Sequence, residues 1–426
     1  MTTPEFLDGA VQAIRRGALT EAEIDRPCAR LLALKFRLGL FENPRRHDPT
    51  RTDYETSRSD HQAVNLDAAR QSLVLLKNNG LLPLKPGEPL SILVTGPNAD
   101  DDLSQLGDWS LGSSQHPPEA GKQPREKTVT VLDGIRAFAP AGSTVRHVPG
   151  CSVVDGNLSG IPAAAAAARE SDVIIAAVGD HLDFIGECKS TATLELQGGQ
   201  IALLDALVAT GKPLILVLVN SKPLVLPPSA LQAAAIFEGF NPGMQGGRAL
   251  AEAVFGLINP SGKITISYPV HVGQQPVFYS QVRGQHGDRY ADLTQEPLFP
   301  FGHGLSYTRY HYSNLRVITP TLSNGQSARI SIDVENLGDR AGDEIVQVYV
   351  SDVVTSVTWV NKALKDYARM HLEPGEKKTL IFTLPWEAFS IVDADGRRVV
   401  EPGDFEILAG PSSRDADLLQ ANLRVE

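Results

Sequence analysis

The chain contains 426 residues, of which 42% are hydrophobic and 21% are charged. This length and composition exclude a single small module and a wholly disordered chain, because the apolar residues suffice for more than one core. The formal charge is −11, and acidic and basic residues are interspersed. The sequence therefore lacks the basic surface that attracts a phosphate backbone, and nucleic acid is not an expected partner.

The three cysteines predict free thiols. Cys28, Cys151 and Cys188 lie far apart without a CxxC spacing, which suits neither a disulfide framework nor a zinc site. The first residues lack the basic and apolar segments of an export signal, and the longest apolar runs are too short to cross a bilayer. No membrane partner is expected, and the location is expected to be cytoplasmic only if the chain is complete.

The first 45 residues predict helices. Thr20 and Glu23 have the spacing of a capping box, and apolar residues then recur at intervals of three and four up to Leu38. Pro27 falls inside this pattern and is expected to kink the helix or restart it. The polar, proline-containing stretch that follows predicts a linker over residues 46–65.

Residues 66–311 predict an α/β domain. Its apolar runs are bounded by Gly, Pro or Asn and lie at 91–95, 173–178, 214–219 and 233–237. Helical patterns alternate with these runs at about 131–138, 162–170, 200–209 and 246–256. The alternation predicts a doubly wound, mostly parallel sheet with helices on both faces. Ligands of such sheets bind beyond the carboxyl ends of the strands, so the loops there are the candidate site.

Residues 312–426 predict an all-β domain, because the apolar period changes to two. Runs with this period lie at 329–334 and 345–350, and further strands are predicted at 378–384 and 405–409. Pro-Gly turns occur at 374–375 and 402–403. Turns at this frequency are typical of a β-sandwich.

Four motifs occur together in register. They are ARQSLVLLKN at 69–78, FNPGMQGG at 240–247, FGLINPSGK at 255–263 and FPFGHGLSYT at 299–308. In this order they resemble family 3 glycoside hydrolases, which include β-glucosidases and β-xylosidases. The resemblance implies a (β/α)8 barrel, an α/β sandwich and a fibronectin type III-like domain, without a cofactor. It begins late, so that residues 1–45 resemble only the last helices of the barrel.

The resemblance also implies that one catalytic residue is absent. A retaining glycosidase needs two carboxyl groups about 5–5.5 Å apart, one of which is the nucleophile. The family's nucleophile is an aspartate of a Ser-Asp-Trp type motif in the barrel. The nearest string here, Gly107-Asp108-Trp109, lies in the α/β domain and resembles a different motif. The isolated chain is therefore expected to be inactive.

Glu187 is the predicted acid/base residue. In many family members a glutamate on a loop of the α/β sandwich is followed by apolar residues seven and nine positions later and then by glutamine. Glu187, Leu194, Leu196 and Gln200 fit this spacing. The Asp-Arg pair that commonly follows the glutamate is replaced by Ser190-Thr191, which leaves the sugar contacts of that pair open.

Other polar residues are weaker candidates for a catalytic or ligand-binding role. Asp180, Asp183 and Glu195 are alternative acid/base candidates near Glu187, whereas buried structural hydrogen bonds are expected of Asn220, Glu238 and Arg248. Neither His181 nor His303 has a second ligand at metal-binding spacing, so no metal is expected. The segment 96–98 lacks a phosphate-loop motif, and its proline removes an amide donor.

The tryptophans are expected to be structural. Trp109 is expected in the core, with stacking on a sugar as the alternative, and Trp359 and Trp386 are expected in the sandwich core or at a domain contact.

The sequence thus predicts the C-terminal portion of a β-glucosidase-like glycoside hydrolase that hydrolyses terminal β-linked glucosyl residues with retention. Its partners would be a β-glucoside or oligosaccharide substrate and a barrel, which is either part of a longer chain or separately encoded. The alternative is a non-catalytic carbohydrate-binding or scaffolding protein. The apolar stripe from Ile24 to Leu38 bears on this choice, because it needs a partner surface.

Overall fold

The computed structural model describes residues 4–46, 48–85, 87–110, 121, 123, 125–282 and 290–426. The chain forms two compact units, Met1–Gln62 and Ala63–Glu426. In the described residues, no helix combines the length and the apolar character that a bilayer span requires.

The first unit is helical. The capping box of Thr20 and Glu23 is confirmed, with the backbone N–H of Thr20 donating to Glu23 Oε2 at 2.8 Å. The helix does not restart at Pro27, because this residue removes only one donor from a helix that continues for ten further residues. The apolar residues on this helix are mostly exposed, as in Leu31 and Leu34. The helices of this unit are α1 (Pro4–Arg15), α2 (Glu21–Arg37) and α3 (Pro49–Ser57), and α4 (Ser59–Ser72) begins in this unit and ends in the second.

The segment 46–65, which is predicted as a linker, contains α3 and the first half of α4. Pro49 begins α3 because a proline fits the first turn of a helix, where its missing N–H is not needed. The Asp48 side chain caps this helix by accepting a hydrogen bond from the N–H of Thr50 at 3.0 Å.

The second unit contains a six-stranded sheet. Its strands are β1 (Val74–Asn78), β2 (Ser91–Thr95), β3 (Thr144–Val148), β4 (Val173–Gly179), β5 (Leu214–Val219) and β6 (Ala235–Glu238). Their spatial order is β1-β6-β5-β4-β2-β3, and only β1 runs antiparallel to its neighbour. The doubly wound, mostly parallel sheet is confirmed.

Helices cover both faces of this sheet. Successive residues of β4 belong to different cores, with Ile175 on one face and Ile174 on the other, because side chains alternate along a strand. The first face packs against α6 and α10, and the second packs against α7 and α8. The helices of the sheet domain are α5 (Asp102–Leu106), α6 (Val131–Phe138), α7 (Ile161–Arg169), α8 (Gln200–Val208), α9 (Pro228–Leu231) and α10 (Gly246–Val254).

The remainder of the second unit is the predicted β-sandwich. Its strands are β7 (Tyr310–Val317), β8 (Thr321–Leu322), β9 (Ala328–Asn336), β10 (Gly342–Asp352), β11 (Ala363–Leu372), β12 (Lys377–Leu384), β13 (Ile391–Val392), β14 (Arg398–Val399), β15 (Gly403–Gly410) and β16 (Leu419–Val425). One sheet has the order β11-β10-β15-β16-β8 and the other β12-β9-β7. Their inner faces share one apolar core, against which Trp386 packs, while Trp359 is half-buried.

Buried polar contacts fix the sandwich to the α/β domain. Lys263 Nζ lies 2.9 Å from Glu344 Oε1, and both side chains are at most one-tenth exposed. The amide of Gln347 on β10 donates to the carbonyl oxygens of Gly302 at 3.1 Å and of Pro411 at 2.6 Å. A Cβ on Gly302 would lie 2.0 Å from Gln347 Oε1. This close approach leaves no space for a side chain at residue 302.

We expect Gly302→Ala to destabilise the chain beyond the roughly 1–3 kcal/mol that a strained positive φ costs, because the new methyl group must displace Gln347. Gly325→Ala is the matched control, since Gly325 has a similar φ of +77° and open space around it. Urea unfolding measures both variants. Equal losses of unfolding free energy in the two variants would contradict a tight contact at residue 302.

Candidate functional site

Loops from four neighbouring strands meet at one edge of the parallel sheet. They begin after Thr95 of β2, Gly179 of β4, Val219 of β5 and Glu238 of β6. The longest of these that the structure describes throughout connects β4 to α8 and contains Glu187. This arrangement places the predicted acid/base at the edge of the sheet where ligands of open α/β sheets generally bind.

The Gln200 side chain closes the base of this loop. Its Oε1 accepts the N–H of Gly179 at 2.8 Å, and its Nε2 donates to the carbonyl oxygen of Gly179 at 2.9 Å. Both residues are buried. A Cβ on Gly179 would lie 1.8 Å from the carbonyl oxygen of Val219, so only glycine fits where the loop leaves the sheet. These two hydrogen bonds hold the chain at both ends of the loop that residues 180–199 form.

Both arms of the loop are anchored inside this closure. On the outgoing arm, Asp180 accepts hydrogen bonds from Lys222 Nζ at 2.8 Å and from the N–H of Ser221 at 3.0 Å. On the returning arm, Leu196 is buried, and the N–H of Val225 donates to the carbonyl oxygen of Leu194 at 2.9 Å. Between these anchors, the buried Leu182 and Ile185 are followed by an exposed turn around Glu187, which is the projecting end of the loop.

Glu187 lies at this projecting end and is exposed. The residues on either side have positive φ, +102° at Gly186 and +64° at Cys188. The turn closes with a hydrogen bond of 3.1 Å from the N–H of Lys189 to the carbonyl oxygen of Gly186. Lys189 also lies 3.7 Å from the carboxylate of Asp183 across the turn. The loop thus presents a carboxylate beyond the edge of the sheet from a tight turn.

The three alternative carboxylates have different environments. Asp180 is 3% exposed, and its two oxygens are occupied by Lys222 and Ser221, which suits a structural role. Asp183 is exposed beside Lys189. Glu195 is exposed, and its backbone forms a β-bridge with Val225.

Trp109 is exposed, contrary to the expected core position. Its exposed fraction is 68%. The short helix α5 lies between β2 and this residue, which carries the indole away from the sheet core. The Ser110 hydroxyl donates to the carbonyl oxygen of Gly107 at 2.7 Å and shapes the adjoining turn. Trp109 lies in the connection that follows β2, and Glu187 lies in the connection that follows the neighbouring strand β4. Both connections leave the sheet at the same edge.

A buried carboxyl group lies at the same edge, below the loops. Glu238 is fully buried, accepts the N–H of Phe240 at 2.5 Å and is hydrogen-bonded to the Tyr268 hydroxyl. Asn220 donates to the Tyr268 hydroxyl oxygen at 3.3 Å. Burial raises the pKa of Glu238 to about 8, because desolvation disfavours the charged form. Both residues make the buried hydrogen bonds that the sequence predicts.

The remaining predicted polar residues also make structural contacts. Arg248 Nε lies 3.0 Å from Glu252, and Asn98 donates to the backbone oxygen of Asp180 at 2.9 Å. His303 is largely buried beside the carbonyl oxygen of Leu76, and burial lowers its pKa to about 4. Within the described ranges no cluster of three metal-ligating side chains occurs, and Cys28, Cys151 and Cys188 are free thiols.

We expect Gln200→Leu to destabilise the chain by about 2–5 kcal/mol, because both buried polar groups of Gly179 would lose their partners. Gln197→Leu is the control, since the Gln197 amide makes one hydrogen bond in the same loop, 2.7 Å to the carbonyl oxygen of Glu195. Urea unfolding gives the free energies, and amide exchange of Gly179 reports on the closure itself. Unchanged protection of this amide in Gln200→Leu would contradict the structure.

Glu238→Gln should remove a pH dependence of stability. The carboxyl has an ordinary pKa of 4.5 when unfolded and about 8 when folded. Raising the pH through this window ionises the unfolded state first, so folding stability falls, by an amount on the order of a few kcal/mol. The neutral amide of the variant has no such ionisation.

Melting temperatures from pH 5 to pH 8 measure this effect. The wild type should lose stability relative to Glu238→Gln as the pH rises. A constant difference between the two proteins would show that Glu238 is ionised in the fold throughout this range.

Comparison with known proteins identifies two regions of the chain. Residues 73–307 match the glycosyl hydrolase family 3 C-terminal domain, and residues 344–413 match a fibronectin type III-like domain. The chain is 37% identical over 413 residues to a β-xylosidase of Formosa agariphila, with 95% of this chain and 55% of that protein covered. It is 34% identical over 437 residues to a periplasmic β-glucosidase of Salmonella typhimurium, with 94% and 55% covered.

Solved structures show the same fold. A β-glucosidase involved in saponin metabolism from intestinal bacteria superposes with a TM-score of 0.94 at 43% identity, covering 100% of this chain and 62% of that one. A β-glucosidase from Listeria innocua, in complex with glucose, superposes with a TM-score of 0.85 at 30% identity, covering 98% and 56%. The chain spans about half the length of the curated relatives it matches.

Proposed function

Because the chain belongs to glycosyl hydrolase family 3, we propose that it is the C-terminal part of a β-glucosidase-like hydrolase that removes terminal β-linked glucosyl residues with retention. Similar proteins include β-glucosidases and β-xylosidases. The rest of the catalytic site would come from a (β/α)8 barrel, either in the same polypeptide or in a separate chain. Residues 1–45 would be the last helices of that barrel, and their exposed apolar side chains would pack within it.

Glu187 would be the acid/base. In the first step its carboxyl group donates a proton to the glycosidic oxygen while a barrel carboxylate attacks the anomeric carbon, so that the leaving alcohol departs and a glycosyl-enzyme ester forms. In the second step the Glu187 carboxylate removes a proton from water, which attacks the same carbon and releases the nucleophile. Two inversions give net retention.

The observation that carries this proposal is the anchored, projecting loop. A loop residue that is only solvated needs neither a two-point amide closure at its base nor an ion pair to a buried carboxylate on its arm, and this loop has both. An apposed barrel would bury the projecting end, and burial beside a second carboxylate is how a general acid keeps its proton at neutral pH.

Trp109 would provide an aromatic surface for the sugar or its leaving group. Its indole is exposed, in the connection that leaves β2 at the same edge of the sheet, and a large apolar aromatic face can pack against the apolar C–H face of a sugar ring. Ser190 and Thr191 stand where Asp-Arg is common. Assays with both β-glucosides and β-xylosides are therefore needed to determine which sugar ring the site prefers.

Glu187→Gln in a protein joined to the barrel should separate two kinds of substrate. A fusion to the part of the saponin-metabolising β-glucosidase that this chain does not cover would supply the proposed barrel. With 4-methylphenyl β-glucoside, kcat/KM should fall about 10²–10⁴-fold, because this leaving group needs protonation. With 2,4-dinitrophenyl β-glucoside, kcat/KM should stay near the parent value, because dinitrophenolate leaves without a proton.

Glu195→Gln is the matched control, since Glu195 is an exposed glutamate of the same loop. It should leave both substrates unaffected. Equal losses for the two leaving groups in Glu187→Gln, or an equal loss in the control, would contradict the assignment. Parallel assays with β-xylosides identify the preferred ring.

A non-catalytic carbohydrate-binding protein is the second candidate, because the exposed indole of Trp109 offers an aromatic surface that needs no catalytic group. This candidate predicts sugar binding by the 426-residue chain and no hydrolysis after a barrel is supplied. Hydrolysis by the fusion that depends on Glu187 would exclude it.

A further inference from the structure

A cleft lies where the α/β domain meets the sandwich, and its described lining includes no residue of the Glu187 loop. One wall comes from the segment before the sandwich and contains Phe278 and Tyr279, and the other contains Asn361, Lys362 and Arg414. The cleft thus draws its lining from both domains.

The first wall is a rigid aromatic surface. Tyr279 stacks on Phe301 with ring centroids 4.3 Å apart and meets Tyr349 edge-on at 5.8 Å. Its hydroxyl oxygen also accepts the N–H of Leu364 at 3.1 Å. Phe278 follows directly along this wall and is 63% exposed. A large apolar ring held open to solvent beside a fixed aromatic stack is a suitable platform for the apolar face of a sugar ring.

The second wall is polar but balanced in charge. The buried Lys362 pairs with Asp415, whereas Arg414 and Glu296 are exposed at the rim. Among the lining residues that the structure describes, two positive and two negative side chains thus balance. This balance favours a neutral ligand over a phosphate or a carboxylate.

Amide groups complete the lining. Gln281, Gln295 and Asn361 line the cleft, and amides both donate and accept hydrogen bonds. The Gln295 Nε2 atom is buried without a partner among the described residues. Buried donors of this kind are rare in folded proteins and suggest an unfilled interaction.

We propose that this cleft is a second carbohydrate-binding site, which takes a neutral oligosaccharide with one ring against Phe278 and its hydroxyl groups against the amides and Arg414. The ligand class follows from the aromatic platform, the amides and the balanced charge, and it does not require that Glu187 act in catalysis. Such a site would bind an oligosaccharide substrate independently of the catalytic site.

Calorimetry with cellotriose on the full chain carrying Glu187→Gln tests this proposal. Phe278→Ala and Arg414→Ala should each weaken binding at least tenfold. Tyr367→Ala is the matched control, because Tyr367 is a comparably exposed aromatic residue on β11, and it should leave binding unchanged. Thermal melting of every variant confirms that the exposed substitutions leave the fold intact.

Three results would overturn the proposal: no binding of cellotriose at millimolar concentration, binding that is unaffected by Phe278→Ala, or binding that Trp109→Ala abolishes instead. The last result would place the sugar on the candidate active-site edge. Failure here leaves the hydrolysis assay of the fusion unaffected, so the two proposals are separable.

Discussion

The hydrogen bonds between the Gln200 side chain and the backbone of Gly179 are the constraint on which the candidate site depends. They join the end of β4 to the start of α8 and so close a loop of twenty residues at its base. Without this closure, the loop would leave the sheet edge with no defined direction. With it, and with Asp180 held by Lys222, the turn at Glu187 projects from a fixed base.

The surroundings of this loop are equally constrained. The sheet is buried on both faces, and hydrogen bonds link the loops at its edge. Asp180 accepts from Asn98 and from the N–H of Ser221. Asn220 and Glu238 are both hydrogen-bonded to the Tyr268 hydroxyl. The sandwich is held against the same domain by Lys263 and Gln347. A rigid support is what a catalytic loop requires, because a displacement of about 1 Å can cost two orders of magnitude in rate.

Sequence patterns revealed the central strands because parallel strands buried on both faces are continuous apolar runs bounded by loop residues. The same patterns do not predict the edge strands β1 and β3, and the reasons are physical. Strand β1 follows α4 almost directly, and β3 is a half-exposed edge strand that contains Arg146 and His147. Such segments lack the apolar continuity of a central strand. The polar sequence of α3 contains no apolar stripe that would predict a helix, and this helix begins instead at the cap formed by Asp48.

Within the site, the family resemblance and its spacing pattern indicate the loop and Glu187, whose catalytic role stays a prediction. The same spacing included Gln200 but did not reveal that its amide binds Gly179, because this contact depends on three-dimensional proximity. The prediction that Trp109 lies in the core is wrong, because the short helix α5 separates β2 from this tryptophan, whose side chain is exposed. The aromatic cleft beside the sandwich draws on segments far apart in sequence, so no local pattern indicates it.

Azide rescue tests the central claim, that Glu187 is the acid/base of a retaining hydrolase, most directly. In the barrel fusion carrying Glu187→Ala, the second step lacks a general base, so 2,4-dinitrophenyl β-glucoside should turn over slowly. Azide needs no deprotonation and should restore turnover with β-glucosyl azide as the product, identified by NMR. Unchanged turnover with azide and no glucosyl azide product, or the α-anomer as product, would contradict the account.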